Sequence, residues 1–205
     1  MMEKYNINQT TLKILGLYLG DYKRSLHLRG IARETDVDVK AVQLQLRKLE
    51  KSGILLSTVR GRNKEHFLNL GNPLTRYYMI LAEAFASITY LGNNFLIKKV
   101  VDELADQVDG TIILFGSFAK SQETRESDID LFILTEQKSN AYLRTVREVE
   151  DLVGREINVK STDRISFLKG LEEGDPLTRE VISVHIVLKG FDDFCNIMWD
   201  FYAKP

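Results

Sequence analysis

The sequence predicts an α+β protein with two small domains, and three observations carry this prediction. The 205 residues suit two domains better than one small one. Helical spacing followed by two short strands marks the N-terminal third, whereas helices and strands alternate later. Residues 1–72 carry 13 Lys and Arg against 7 Asp and Glu, a net charge of +6, while residues 73–205 carry 15 against 22, a net of −7. We therefore expect domains at 1–72 and 93–205, joined by a helix at 73–92.

Residues 1–72 predict three helices and a hairpin. A first helical face consists of Leu12, Leu15, Leu19 and Tyr22. A second helix is expected over about 25–34, and a third starts after the N-cap Asp38 and ends at Gly53. Two strands, at 54–59 and 66–70, flank a polar connection at 60–64.

This order of elements resembles a winged helix-turn-helix domain, as found in many small microbial transcriptional regulators. The resemblance implies DNA binding and transcription regulation. Lys40 and Gln43 would face base edges in the major groove, and Arg47 would reach a phosphate. At the hairpin tip, the residues that suit the DNA backbone or minor groove are Arg60, Arg62 and Lys64. A solvated basic surface and a protein-interaction module are the alternatives.

The connecting segment, residues 73–91, predicts a long helix that is apolar on more than one face. It can lie between the domains, pair with its copy in a homodimer, or pack within one chain. A homodimer would suit a DNA reader, because paired half-sites match two-fold symmetry.

The second domain is expected to form a mixed sheet flanked by helices. Its predicted strands are residues 111–115, 129–134, 157–160 and 186–188. Its predicted helices are residues 95–108, a short one at 116, 140–153, 166–172, 176–184 and 191–202.

A short motif follows the strand at 111–115. Gly116 and Ser117 stand where this strand turns into a helix, a place where glycine admits a ligand and amides attract an anion. Asp128 and Asp130 alternate on the next strand, so both carboxylates leave the sheet on one face. A solvated strand entry is the alternative, but it accounts poorly for Asp130, since an unpaired carboxylate within an apolar stretch is costly to bury. The motif predicts a phosphate and metal site.

The motif, Gly-Ser followed by Asp-x-Asp, resembles the signature of the DNA polymerase beta type nucleotidyltransferase superfamily. The resemblance covers about 93–161 and is closest to the minimal, stand-alone members, which include toxin-antitoxin proteins. It implies that Gly116 and Ser117 bind the triphosphate, and that Asp128 and Asp130 bind Mg²⁺ or Mn²⁺. The neighbouring residues expected to assist in nucleotide binding are Lys120 and Ser127. Ser121 departs from the glycine of many relatives.

A second departure concerns the third carboxylate that active relatives carry on a later strand. On the candidate strand 156–160, alternation places Glu156, Asn158 and Lys160 on one face. The matching residue is the neutral Asn158, and Glu156 lies one pleat earlier, about 6 to 7 Å along the strand, so its longer side chain would substitute only in part as a catalytic carboxylate. We expect the site to retain the metal that carries the triphosphate and to have a weakened metal on the nucleophile side.

Two functions remain open at this point. The first is an enzyme that transfers a nucleoside monophosphate from a nucleoside triphosphate to a hydroxyl of a protein, an RNA end or a small molecule. The second is a transcriptional regulator or antitoxin whose nucleotidyltransferase-like domain binds a nucleotide or a partner such as a toxin, with little or no catalysis.

Composition restricts other classes of function. No apolar stretch is long enough to span a membrane, and the start lacks an apolar signal segment, so we expect a cytoplasmic protein with no membrane partner. Cys195 is the only cysteine, and the three histidines stand far apart in sequence. A thiolate metal site or a histidine cluster is therefore not expected.

Overall fold

The computed structural model describes residues 7–137 and 142–203, and these form two compact units. Unit 1 contains the described residues up to Phe85 together with those from Met198 onward, and unit 2 is Ala86–Ile197. Each unit holds one small sheet and several helices. The predicted α+β class is confirmed.

Unit 1 begins with three helices, α1 (Gln9–Gly16), α2 (Leu28–Thr35) and α3 (Val39–Lys51). The predicted N-cap is confirmed, because the Asp38 carboxylate accepts from the backbone N–H of Lys40 at 2.9 Å. The first helix is shorter than its spacing predicted. It ends at Gly16, and Leu19 and Tyr22 reach the core from the turns that follow.

The start of the second helix was also predicted wrongly. Residues Leu26–His27 form strand β1, which pairs with residues 65–66, so α2 begins only at Leu28. A two-residue strand exists only through its partner, and local spacing cannot reveal it. The turn between α2 and α3 contains Asp36, whose φ of 52° lies in the left-handed region.

The predicted hairpin consists of β2 (Leu55–Arg60) and β3 (Asn63–Leu68), in an antiparallel sheet of order β1-β3-β2. The first strand has the predicted length but is shifted by one residue, and the second starts three residues earlier than expected. The connection is therefore shorter, since Arg60 already pairs with Asn63. Only Gly61, with a φ of 61°, and Arg62 form the turn. Lys64 therefore lies within β3 and not at the tip.

The long helix predicted from Pro73 is α4 (Pro73–Asn93), and the boundary between the units falls within it. Of the helices in the described residues, none is by itself long and apolar enough to cross a membrane. Only α4 taken together with the next helix, beyond a bend of 118°, has that length and composition.

Unit 2 continues with α5 (Phe95–Leu104), β4 (Thr111–Phe115), α6 (Gly116–Ala119), β5 (Ile129–Leu134) and α7 (Leu143–Val153). It then forms β6 (Ile157–Thr162), α8 (Arg164–Glu173), α9 (Pro176–Ser183) and β7 (Ile186–Lys189). The last helix, α10 (Phe191–Tyr202), begins in unit 2 and ends in unit 1. Helix α5 ends four residues before the predicted Val108. The predicted start of the helix at Asn140 lies outside the described residues.

The sheet of unit 2 has the order β6-β5-β4-β7 and is mixed, as predicted. Strand β4 pairs antiparallel with β5 and with β7, whereas β5 and β6 are parallel. One face of this sheet forms the main core with α5 and α7, through residues that include Ile112, Leu114, Ile129, Leu131 and Ile133.

The opposite face of this sheet carries the alternate residues of the same strands. Phe132 of β5 lies there and contacts Phe167 of α8, with ring centroids 5.4 Å apart. Asp130, two residues before Phe132, shares this face and lies at the sheet end where β4 meets α6.

Candidate functional site

Gly116 and Asp130 lie in direct contact at the end of β4. Phe115 pairs with Asp130 across the β4–β5 ladder, which brings the following Gly116 beside the carboxylate. Gly116 has a φ of 69°, and a Cβ built on it would collide with Oδ2 of Asp130. A residue with a side chain would therefore be strained at this position and would displace the carboxylate. The fold thus places the predicted phosphate turn against one predicted metal ligand.

Helix α6, which begins at Gly116, is only one turn long. Ser117 is partly buried, and its carbonyl accepts from the backbone N–H of Gln122 at 2.9 Å. Ser121, the residue that departs from glycine, has a φ of 52°. This left-handed conformation gives a physical reason for glycine at this position, because a Cβ there costs about 1 to 2 kcal/mol.

The loop between α6 and β5 is held by Arg155, which follows α7. Its Nη1 donates to the carbonyl oxygens of Thr124 at 3.2 Å and of Ser127 at 3.0 Å. Ser127 was predicted to bind nucleotide, and here its hydroxyl accepts from the backbone N–H of Thr124 at 2.8 Å. Arg155 therefore fixes the segment that leads into Asp128. No sequence pattern predicted this role, because a lone arginine after a helix has no distinguishing neighbours.

The two aspartates differ in environment. Asp128 is exposed and precedes β5, whereas Asp130 is partly buried within that strand. Burial raises the pKa of Asp130, and the nearby charges of Asp128 and Glu180 raise it further; a hydrogen bond from Asn158 and the charge of Lys120 act in the opposite direction. A bound cation would favour the ionised form of this carboxylate.

Asn158 lies directly beside Asp130 in the parallel pairing of β5 and β6. Its Nδ2 also donates to Oδ2 of Asp128, at 3.4 Å. Glu156 precedes β6 with an exposed side chain, and its carbonyl accepts from the backbone N–H of Ile129 at 2.9 Å. On β6, the position nearest to Asp130 is thus occupied by the neutral amide of Asn158.

The donor set suits one hard divalent cation. Carboxylate and amide oxygens are the ligands that Mg²⁺ and Mn²⁺ take in proteins, and Asp128, Asp130 and Asn158 supply them. Within residues 7–137 and 142–203, no group of three or more His, Cys, Asp or Glu side chains is arranged to hold a metal. The remaining ligands would have to come from water and from phosphate oxygens, as is usual for Mg²⁺.

Lys120 pairs with Glu180 of α9, with 2.9 Å between Nζ and Oε1. Lys120 was predicted to assist nucleotide binding, and its charge acts on Asp130. Glu180 was not predicted, because α9 comes close to α6 only through the tertiary fold. Near Asp130, a lysine and two further carboxylates therefore surround a compact polar site.

The predicted DNA-binding residues divide into two groups. Lys40, Gln43 and Arg47 are exposed, and their spacing of three and four residues places them on one face of α3. In the hairpin, Lys64 pairs with Glu50 at 2.7 Å and Arg60 with Glu65 at 3.6 Å. Arg62 is exposed in the turn.

Two comparisons found similarity between this chain and known proteins. A solved structure described as "Crystal structure of the toxin-antitoxin with AMP-PNP" is similar over 50% of this chain and 82% of that chain, with 17% identity and a TM-score of 0.37. No curated protein matches the chain significantly. Residues 97–188, which contain every predicted site residue of unit 2, match the family model for the nucleotidyltransferase domain. This part of the chain is therefore similar to nucleotidyltransferase domains.

Proposed function

We propose that unit 2 binds a nucleoside triphosphate with Mg²⁺ or Mn²⁺ and transfers its nucleoside monophosphate to a hydroxyl acceptor. The observation that carries this proposal is the contact between Gly116 and the Asp130 carboxylate. It joins a turn suited to phosphate and a pair of carboxylates suited to a cation in one place. The family match at residues 97–188 supports the same reaction class.

In this reaction the acceptor hydroxyl releases its proton to solvent and its oxygen forms a bond to the α-phosphorus. The bond from the α-phosphorus to the oxygen that bridges it to the β-phosphorus breaks, and pyrophosphate leaves. The bound cation would supply positive charge to the phosphates and lower the pKa of the acceptor hydroxyl. Gly116 and Ser117 would orient the phosphates, and Lys120 would exchange Glu180 for a phosphate oxygen. Asn158 would orient the two carboxylates through its amide.

Calorimetry with a non-hydrolysable triphosphate analogue and Mg²⁺ tests the binding step. We expect Asp128→Asn and Asp130→Asn each to weaken metal-dependent binding at least tenfold. Asp151→Asn, an exposed change on α7, is the matched control and should bind as the wild type does. Equal binding by all four proteins would exclude the site. A triphosphate labelled at its α-phosphate then detects transfer.

A second candidate function is nucleotide binding with little or no catalysis, in a regulator or antitoxin. The observation that favours it is the neutral Asn158 beside Asp130, where a third carboxylate would complete a second cation site. Asn158→Asp decides between the two. If the wild type is catalytically weak, this change should raise the rate of transfer at least tenfold. A fast wild type that Asn158→Asp slows would exclude this second function.

For unit 1 we propose DNA binding in the manner of a winged helix. The exposed face of α3 with Lys40, Gln43 and Arg47 supports it, as does the basic turn at Arg62. Fluorescence anisotropy with duplex DNA from the gene's own upstream region provides the test. Arg47→Ala should weaken binding and reduce the salt slope by about one unit. The exposed Lys23 provides a control, since Lys23→Ala should change neither quantity.

These two activities suggest the partners. A toxin or another protein with an accessible hydroxyl is the proposed acceptor, and a homodimer remains a prediction for the DNA-bound form. Incubation with labelled triphosphate and the protein encoded by the neighbouring gene would reveal labelled protein if the acceptor is a toxin. Sedimentation with and without DNA would detect the dimer.

A further inference from the structure

A cleft of about 390 Å³ lies in unit 2 on the sheet face that carries Asp130. Its walls come from β5, β6, α8 and α9. Phe132 and Lys160, which line it, form the second cross-strand pair after Asp130 and Asn158. Two residues along parallel strands span about 6.6 Å, so the cleft begins about that far from the pair of Asp130 and Asn158.

The lining of the cleft is mixed and carries no net charge. Its floor includes the buried rings of Phe132 and Phe167. Two lysines and two carboxylates balance at its edge, and within this set Lys169 pairs with Glu173 at 3.7 Å. A polyphosphate would gain little from such a surface. An uncharged molecule with an apolar ring and several polar groups fits it better.

The rear wall of the cleft is a close contact between two helices. A Cβ on Gly170 of α8 would stand 2.9 Å from Cγ2 of Thr178, so the absence of a side chain lets α8 and α9 approach. Asp175 caps α9 by accepting from the backbone N–H of Thr178 at 2.8 Å. The rear wall of the cleft is therefore formed by closely packed elements.

We propose that this cleft takes the base and sugar of the nucleoside triphosphate whose phosphates lie at Gly116 and Lys120. This inference rests on the proposed function and adds to it the place where the nucleoside binds. The site then has two parts on one sheet face: a charged part at Asp128, Asp130 and Lys120, and a neutral part beyond Phe132. The volume falls within the range of about 300 to 1,000 Å³ found for small-molecule sites.

The test compares two probes that share the charged part of the site. Calorimetry in Mg²⁺ measures the affinity for a non-hydrolysable nucleoside triphosphate analogue and for inorganic tripolyphosphate, which has no nucleoside. Leu177→Trp fills the cleft from α9, and Ser166→Trp does so from an exposed position on α8. Leu152→Trp, on α7, is the control.

We expect both cleft variants to lose at least tenfold in affinity for the analogue and to keep the wild-type affinity for tripolyphosphate. The control should bind both probes as the wild type does. If the cleft variants bind the analogue normally, or if the wild type binds both probes equally tightly, the inference is overturned while the proposed function stands. A wild type that binds neither probe would instead overturn the proposed function.

Discussion

Gly116 meets two requirements at a single residue. Its φ of 69° is a conformation that favours glycine, and the Asp130 carboxylate occupies the place of a side chain. Each requirement alone would make substitution costly. Together they couple the backbone conformation of the turn to the position of a proposed cation ligand.

We expect Gly116→Ala to reduce both stability and nucleotide affinity. The left-handed conformation alone costs an alanine about 1 to 2 kcal/mol. Displacement of Asp130 adds a loss of metal-dependent binding of at least tenfold. Denaturant unfolding and calorimetry measure the two effects.

The control for this substitution is Gly92→Ala in α4, where a Cβ meets nothing within 4 Å. Alanine is the better helix former by about 1 kcal/mol, so this variant should be as stable as the wild type or more so. If both glycine variants lose the same amount of stability, the claim that Gly116 is required by its conformation and its contact with Asp130 is wrong.

Ser121 offers the opposite test, because here a glycine would relieve strain. Ser121→Gly removes a cost of about 1 to 2 kcal/mol from the folded state, and the added freedom of the unfolded chain offsets about 0.5 to 1 kcal/mol of that gain. We expect equal or slightly higher stability in denaturant unfolding. Ser121→Val should be clearly less stable, and the reverse order of the two variants would contradict this reading of the turn.

At the scale of elements, the loop from α6 to β5 depends on one side chain of a distant turn. Arg155 holds two carbonyl groups of this loop, at Thr124 and Ser127, directly before Asp128. We expect Arg155→Gln to weaken Mg²⁺-dependent analogue binding about three- to tenfold, with little change in the melting temperature. Hydrogen exchange of residues 121–128 should become faster, because the loop has lost its anchor.

A lysine at the same position retains the charge but not the fork of donors, so Arg155→Lys should restore binding only in part. The matched control is Arg144→Gln, which breaks an exposed pair with Glu148 on α7. Equal loss of binding in both glutamine variants would mean that the loop is not held by Arg155.

In unit 1, α3 and the hairpin are joined by a cluster of charged groups. Glu50, near the end of α3, approaches Lys64 and the buried His66 of β3. Burial lowers the pKa of His66, although the charge of Glu50 acts against this. Hydrogen bonds from Lys64 and Ser57 and the charges of Lys64 and His66 outweigh burial at Glu50 and lower its pKa.

The sign of the pH dependence follows from these shifts. A histidine whose folded pKa lies below its unfolded value of 6.5 binds its proton more readily in the unfolded chain, so stability falls as the pH decreases through 6.5. The stability contributed by the lowered pKa of Glu50 is lost only as the pH falls below 4.5. Thermal unfolding between pH 7.5 and 5.0 should therefore report His66. The fall should be smaller in His66→Gln and unchanged in His27→Gln, a change at an exposed histidine.

At the scale of the molecule, sequence periodicity predicted most helices and strands because buried faces repeat along the chain. The family resemblance placed Asn158 opposite the Asp-x-Asp pair, and Asn158 does pair with Asp130 across β5 and β6. Contacts between distant segments were not predictable. Arg155 and Glu180 reach the site from 28 and 50 residues beyond Ser127 and Asp130, and β1 exists only through its pairing with β3.

The uneven charge of the chain leads to a prediction about the two proposed activities. DNA binding is assigned to the basic residues of α3, and nucleotide binding to the carboxylates of unit 2. The double variant Asp128→Asn, Asp130→Asn should thus lose nucleotide binding and retain DNA binding, whereas a double variant Lys40→Ala, Arg47→Ala should do the reverse. Anisotropy and calorimetry on the same samples provide the check, and a parallel loss of both activities would contradict it.

Asp130 lies on a strand with a neighbour on each side, since β5 pairs with β4 and with β6. Its backbone is therefore fixed before any ligand arrives. Asp128 precedes the strand and is exposed, so its side chain would lose more freedom on closing around the proposed cation. The ordering entropy of the proposed cation binding would fall mainly on Asp128. Changes in the loop before it can consequently tune affinity while the anchor at Asp130 stays in place.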